Sequence, residues 1–149
     1  MRWLIFLLAL TGSVMVKADD LETIRKNYEL AVTDKGICQK MIKELGSKVE
    51  DHVNLAYLGA FQAIWANHLF NPVSKLMSFN KGKENIEKAV QKAPGNVEIR
   101  LIRLSIQKKS PAFLGYQRNI DEDQRYIKTN QQSISSPVLL KMVTALLNS

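Results

Sequence analysis

Cysteine is nearly absent from the chain. The single residue, Cys38, excludes a disulfide framework within one molecule, so packing alone must hold the fold. Flanked by Ile37, Met41 and Ile42, it reads as a small buried hydrophobe on the inner face of a helix rather than a reactive thiol. Histidine is scarce too. His52 and His68 are the only two, and on one helix they stand about 24 Å apart at 1.5 Å per residue. They cannot share an ion, which leaves no ligand set for zinc. A glycine-rich phosphate loop is missing: Gly12-Ser13 lies in the leader described below, and Gly95-Asn96 is a plain turn. No cofactor, metal or catalytic residue is therefore expected.

The chain also lacks an apolar run long enough to span a bilayer. Arg2 precedes the uninterrupted stretch Leu4-Ile5-Phe6-Leu7-Leu8-Ala9-Leu10, and a looser segment ends in Val16-Lys17-Ala18. Thr11, Gly12 and Ser13 interrupt the stretch before it reaches the roughly 20 residues a membrane helix needs. Small residues one and three positions before a cut suit signal peptidase, so residues 1–18 read as a cleavable signal peptide. No cysteine follows at a lipoprotein cleavage position. The expectation is an exported protein of bacterial type, periplasmic or secreted, that does not span the membrane once the signal is removed.

Removing eighteen residues from 149 leaves 131, the usual size of one domain. Apolar residues make up 46% of the chain, enough for a real core. The net charge of +7 falls to +5 when Arg2 and Lys17 leave. That excess is concentrated between Lys81 and Lys109, where eight basic residues face three acidic ones. The segment holds no Phe, Tyr or Trp to stack on bases, so nucleic acid is not an expected partner. It reads as a solvated, Lys-rich helix face.

Strand-like alternation is nearly absent, and helical spacing runs throughout. Leu21, Ile24, Tyr28 and Ala31 form one stripe after the capping residues Asp19 and Asp20. Ile37, Met41, Ile42 and Leu45 form a second, stopped by Gly46. Ser47-Lys48-Val49-Glu50 predicts a capping box for a helix to about His68 that is apolar nearly all round, the centre of the core. Within it, Gly59 and Ala60 allow a neighbour to come close. Asn71-Pro72 opens a fourth helix carrying Val73, Leu76, Met77, Ile86, Ala89 and Val90, with a break expected near Phe79 to Gly82. A fifth runs from Asn96 to Ser110-Pro111, a short one starts from an Asn119–Glu122 cap, and Ser136-Pro137 opens the last. The fold expected is all-α, an antiparallel stack of about six to seven helices forming hairpins in one domain, 19–149.

Ala89-Val90-Gln91-Lys92-Ala93-Pro94, followed by Gly95-Asn96 and a new helix, resembles the end of a tetratricopeptide repeat. Gly82 and Ile86 match the repeat's small and bulky positions, and Leu55, Leu58 and Gly59 resemble its first helix. About eleven extra residues, including Asn71-Pro72, separate the two halves, and no period near 34 recurs. The resemblance implies one degenerate repeat in a repeat-like core at about 47–109. The run from Phe79 through Ile127, with Ile99-Arg100-Leu101-Ile102-Arg103-Leu104 and Ser110-Pro111-Ala112-Phe113-Leu114-Gly115-Tyr116, also resembles a group of uncharacterised exported bacterial proteins. Neither resemblance supplies catalytic residues.

One polar group stands out. Arg100, Arg103 and Gln107 line one row of the fifth helix, and Tyr116 and Asp121 follow after a turn that can fold back on it. Arg–carboxylate forks are bidentate, so Asp121 or Asp123 can tie the segments together; the same arginines can alternatively build a pocket for a small anion. The acidic cluster Asp121-Glu122-Asp123 suits a helix start by the dipole alone. The leading functional expectation is a protein–protein interaction module or structural adaptor in the envelope, holding a protein or peptide partner in a groove of stacked hairpins. Its alternatives are a carrier of a small anionic or apolar ligand, the anionic one held by Arg100 and Arg103, and a carboxylate-based hydrolase using Asp121 or Glu122.

Overall fold

The computed structural model describes residues 18–149. The signal peptide read at 1–18 lies outside them, except for Ala18, which is helical. Seven helices follow in order: α1 (Ala18–Leu30), α2 (Lys35–Leu45), α3 (His52–Trp65), α4 (Pro72–Lys92), α5 (Val97–Lys109), α6 (Ile120–Thr129) and α7 (Pro137–Leu147). Short 3-10 turns occur at Ala66–His68, Ala112–Leu114 and Gln131–Ser133. No strand is present among the described residues, and none of their helices is long and apolar enough to cross a membrane. The all-α expectation holds.

Local chemistry sets most helix starts. The Asp34 carboxylate accepts the Ile37 amide, Asn71 the amides of Val73 and Ser74, Asn96 that of Ile99, and the Ser136 hydroxyl that of Leu139. Two expected starts are corrected, and a third holds without its expected cap bond. The described part of α1 already includes Ala18, which puts Asp19 and Asp20 inside the helix rather than at its cap. Asp51, not Ser47, caps α3: its side chain takes the Asn54 amide, while the Ser47 hydroxyl donates to the Glu44 carbonyl. Helix α6 does start after Asn119 as expected, but the Asn119 side chain bonds Gln107 and Glu122 instead of a helix amide.

The break expected near Phe79 to Gly82 is also corrected, since α4 is continuous over 21 residues. Glycine is there for contact. Gly59 of α3 lies against the Gly82 carbonyl and Ile86, and Gly82 in turn meets the Gly59 carbonyl and Ala63. As the α3 number rises by four the α4 number falls by four, so the two helices are antiparallel and touch backbone to backbone. The Ser78 hydroxyl donates to the Gln62 carbonyl at 2.7 Å, and the Asn85 amide donates to the Gln62 side chain at 2.7 Å. Helices α5 and α6 are antiparallel by the same test: Arg100 meets Glu122 and Asp123, whereas Gln107 meets Asn119.

Two apolar clusters fill the interior. The larger spans Ile24 to Tyr116, past both ends of the repeat-like segment at 47–109, and centres on Tyr57 and Phe61 of α3. Burying each such ring is worth about 2–3 kcal/mol. Tyr28 packs edge-on against both. The smaller cluster joins Leu101 and Leu104 of α5 to Ile127 of α6 and Leu139, Val143 and Leu146 of α7. Helix α5 is thus the partition between two cores, buried on every side from Leu101 to Gln107. The solvated basic face expected over 81–109 is corrected accordingly. Lys81, Lys88 and Lys92 do face water, but Arg103 is buried and Lys108 reaches the carbonyls of Leu146 and Ser149 at the end of α7.

Candidate functional site

The arginine cluster is assembled by the α5–α6 hairpin and closed by α4. Asp123, fully buried, is its hub. Arg103 grips it with a fork, Nε to Oδ2 at 2.7 Å and Nη2 to Oδ1 at 2.8 Å, and its Nη1 reaches Glu87 of α4 at 3.2 Å. Arg100 adds Asp123 at 3.0 Å, Glu122 at 2.8 Å and the Pro94 carbonyl at 2.8 Å, with its guanidinium over the Tyr126 ring. The Tyr116 hydroxyl donates to Glu87 at 2.7 Å. Gln107 donates to Asn119 at 3.2 Å.

Four of the five residues expected here, Arg100, Arg103, Gln107 and Tyr116, lie along this network. Asp121 does not: it is exposed in the first turn of α6 and pairs with neither arginine. Asp123 takes that place because helical periodicity turns position 123, not 121, toward α5. Glu87 was not legible, since nothing near it in the Lys-rich run marks it as inward. Burial works against the charged form of Arg103, and Asp123 and Glu87 outweigh it, raising its pKa. Arg100 holds the Glu122 carboxyl below the usual carboxylate range. Both guanidiniums are held by carboxylates of the same chain, Arg100 also by the Pro94 carbonyl, so the cluster ties α4, α5 and α6 together.

A second hub was missed altogether. Glu98, in the first turn of α5, accepts Arg25 of α1 through Nε at 2.8 Å and Nη2 at 2.7 Å, and Tyr57 of α3 at 2.7 Å. Glu22 of α1 accepts Ser136 at 3.0 Å and so fastens α7. The Tyr28 and Ser105 hydroxyls share a hydrogen bond of 2.8 Å between α1 and α5. These contacts link distant parts of the chain, and no spacing rule in the sequence points to them. Among the described residues, no three His, Cys, Asp or Glu side chains converge on a point that could hold a metal ion.

The surface also holds a groove of about 530 Å³. It is framed by the end of α1, the end of α3, the first two turns of α4, and the end of α5 with the turn after it. Tyr28, Ile64, Phe79 and Ile106, all buried, form its floor, and Leu76 and Phe113 stand at its lip. Gly115, in the left-handed region at φ 66°, ends the turn that carries Phe113 outward. Among the described residues of the walls, Lys75 and Lys109 are the only charged ones and none is a carboxylate. Large apolar side chains are exposed at and near the groove in sequence: Phe113 is 86% exposed, Phe70 96% and Val73 about two thirds. The stripe Val73, Leu76 and Met77, read as core, is exposed instead, Leu76 by about half and the other two by about two thirds. No protein-family model, curated protein or solved structure matches this chain.

Proposed function

We propose that the protein is an exported, tetratricopeptide-like interaction module with no chemistry of its own, and that it holds a partner protein by taking an apolar, acid-bearing segment into the groove between α1, α3, α4 and α5. The observation that carries this reading is the exposure of large apolar side chains at the groove and near it in sequence. Leu76, Phe113, Phe70 and Val73 are large, exposed and close in the chain to the groove walls. Folding gains nothing from leaving such side chains in water, and patches of this kind mark interaction surfaces. A small ligand seated on the floor would leave Phe70 outside; a protein segment with flanks covers it. A flat bilayer surface would leave the concave floor unfilled. The two wall lysines supply the charge complement for an acidic partner.

The test is a photo-crosslinking amino acid placed at Phe113, with a control at Lys40 on α2, which contributes nothing to the groove walls. The purified protein is exposed to envelope extract and the crosslinked peptide is sequenced. One identified segment captured from position 113, absent from position 40 and lost in Leu76→Asp, supports the reading. No capture, or equal capture from both positions, overturns it.

A further inference from the structure

We infer that the groove receives its partner segment as an amphipathic α-helix whose carboxylates face Lys75 and Lys109, an inference that rests on the groove being the partner surface. The walls decide the conformation. Most of the lining belongs to helices or 3-10 turns, with Val32, Ser110 and Pro111 in the connecting turns, and the described residues contain no strand whose edge an incoming backbone could pair with. An extended segment pressed against Ile64, Phe79 and Ile106 would leave its own N–H and C=O groups without partners, at about 1–3 kcal/mol for each one buried. A helix satisfies those groups internally and presents only side chains, which is what an apolar trough between helices accepts.

The charges decide the flanks. Lys75 lies in the first turns of α4 and Lys109 in the last turn of α5, so they reach the groove from different walls. Lys109 stands over the Tyr28 ring, 6.0 Å from its centre, which places its ammonium near the floor. A segment with acidic residues beside its apolar stripe neutralises both lysines. A basic segment meets two like charges and, among the described residues of the walls, no carboxylate.

The experiment is selection of a displayed library of random twenty-residue peptides on the purified protein, with counter-selection on Leu76→Asp. Leu76 is 48% exposed, and a circular dichroism melt confirms that the variant is folded. The expected winners have apolar residues at i, i+3, i+4 and i+7, carry net negative charge and gain helicity on binding. A proline at the centre of the best winner weakens it at least tenfold. The Lys75→Glu, Lys109→Glu double variant selects basic peptides instead. Winners without helical spacing, winners indifferent to the charge reversal, or no enrichment over Leu76→Asp overturn the inference. So does tight binding of phosphatidylglycerol vesicles abolished by Phe70→Ser with Phe113→Ser, which makes the face a membrane contact. If Phe113 crosslinks one partner segment while the peptide pattern fails, the helix inference falls and the groove reading stands. If the crosslinking fails as well, both fall.

Discussion

Gly59 and Gly82 face each other across the α3–α4 contact, each lying where the other's side chain would be. A Cβ on Gly59 would come within 2.5 Å of the Gly82 carbonyl oxygen, and one on Gly82 would strike the Gly59 carbonyl in turn. Neither backbone oxygen can rotate away. Gly59→Ala and Gly82→Ala are each expected to cost about 1–3 kcal/mol, overpacking outweighing the gain in helix propensity. The double variant should cost less than the sum, because helices pushed apart by one methyl already have room for the other. Urea denaturation checks this through a lower midpoint at unchanged slope. A neutral or stabilised single variant would show that the helices do not touch there.

The Arg103–Asp123 fork makes a second case. Asp123 is fully buried and Arg103 nearly so, and removing one member of a buried pair leaves the other's charge uncompensated at about 3–5 kcal/mol. Arg103→Ala should fall at the low end, because Arg100 stays within 3.0 Å of Asp123. Arg103→Met with Asp123→Leu should cost less than either single change, the mark of coupling rather than of two independent contributions. Equal, additive losses in chemical denaturation would argue against a structural tie. So would an Arg103→Ala protein of unchanged stability.

How far the residues alone carried these conclusions depended on range. Asn71, Asn96 and Ser136 were legible as caps because a cap is settled within three residues. Arg100 and Arg103 were legible as a pair because one helix turn fixes their spacing. Asp123 against Asp121 is a question of phase, and a helix boundary uncertain by one residue is enough to confuse them. Glu87 and Glu98 lay beyond reach, since their partners are at Tyr116 and Arg103 and at Arg25 and Tyr57, and so did the contact of Glu22 with Ser136, although its pairing with Arg25 is local. Val73, Leu76 and Met77 misled in a different way. Their spacing is that of a buried stripe, and periodicity cannot say whether the cover comes from the same chain.

Cys38 is fully buried on α2, where its thiol donates to the Phe61 carbonyl at 3.3 Å, and burial pushes its pKa up to about 11. Thiolate is the reactive form. Under native conditions at pH 8, Cys38 should react with a disulfide reagent at least a hundredfold more slowly than in urea. Labelling at the rate of the denatured chain would mean that α2 opens freely or that the thiol is at the surface.

Acid should weaken the fold through two exposed ties. Arg25 lowers the Glu22 carboxyl and Arg100 that of Glu122, both below the ordinary 4.5. A carboxylate with a depressed folded pKa contributes its stability fully above the unfolded value and loses it as pH falls through the folded one. The window therefore lies below about pH 4.5. Both groups are solvent-screened, so the effect is small for each. Glu22→Gln with Glu122→Gln should flatten the fall in melting temperature between pH 5 and 3 relative to wild type. An identical slope would assign the acid loss elsewhere.

The groove face should separate folding from binding. Phe113 and Phe70 are almost wholly exposed, and substitutions at such sites usually change stability by no more than about 0.5 kcal/mol. Phe113→Ser and Phe70→Ser are therefore expected to melt like wild type. Phe79, three residues beyond Leu76 on α4, is buried on the groove floor with its ring edge-on to Tyr116, 6.1 Å between centres. Phe79→Ala should cost about 3–5 kcal/mol. If the outer phenylalanines are present for a partner, Phe113→Ser removes crosslinking or peptide capture at full stability. If instead it lowers the melting temperature as much as Phe79→Ala does, the turn at 112–114 is part of the core and the exposed face has been misassigned.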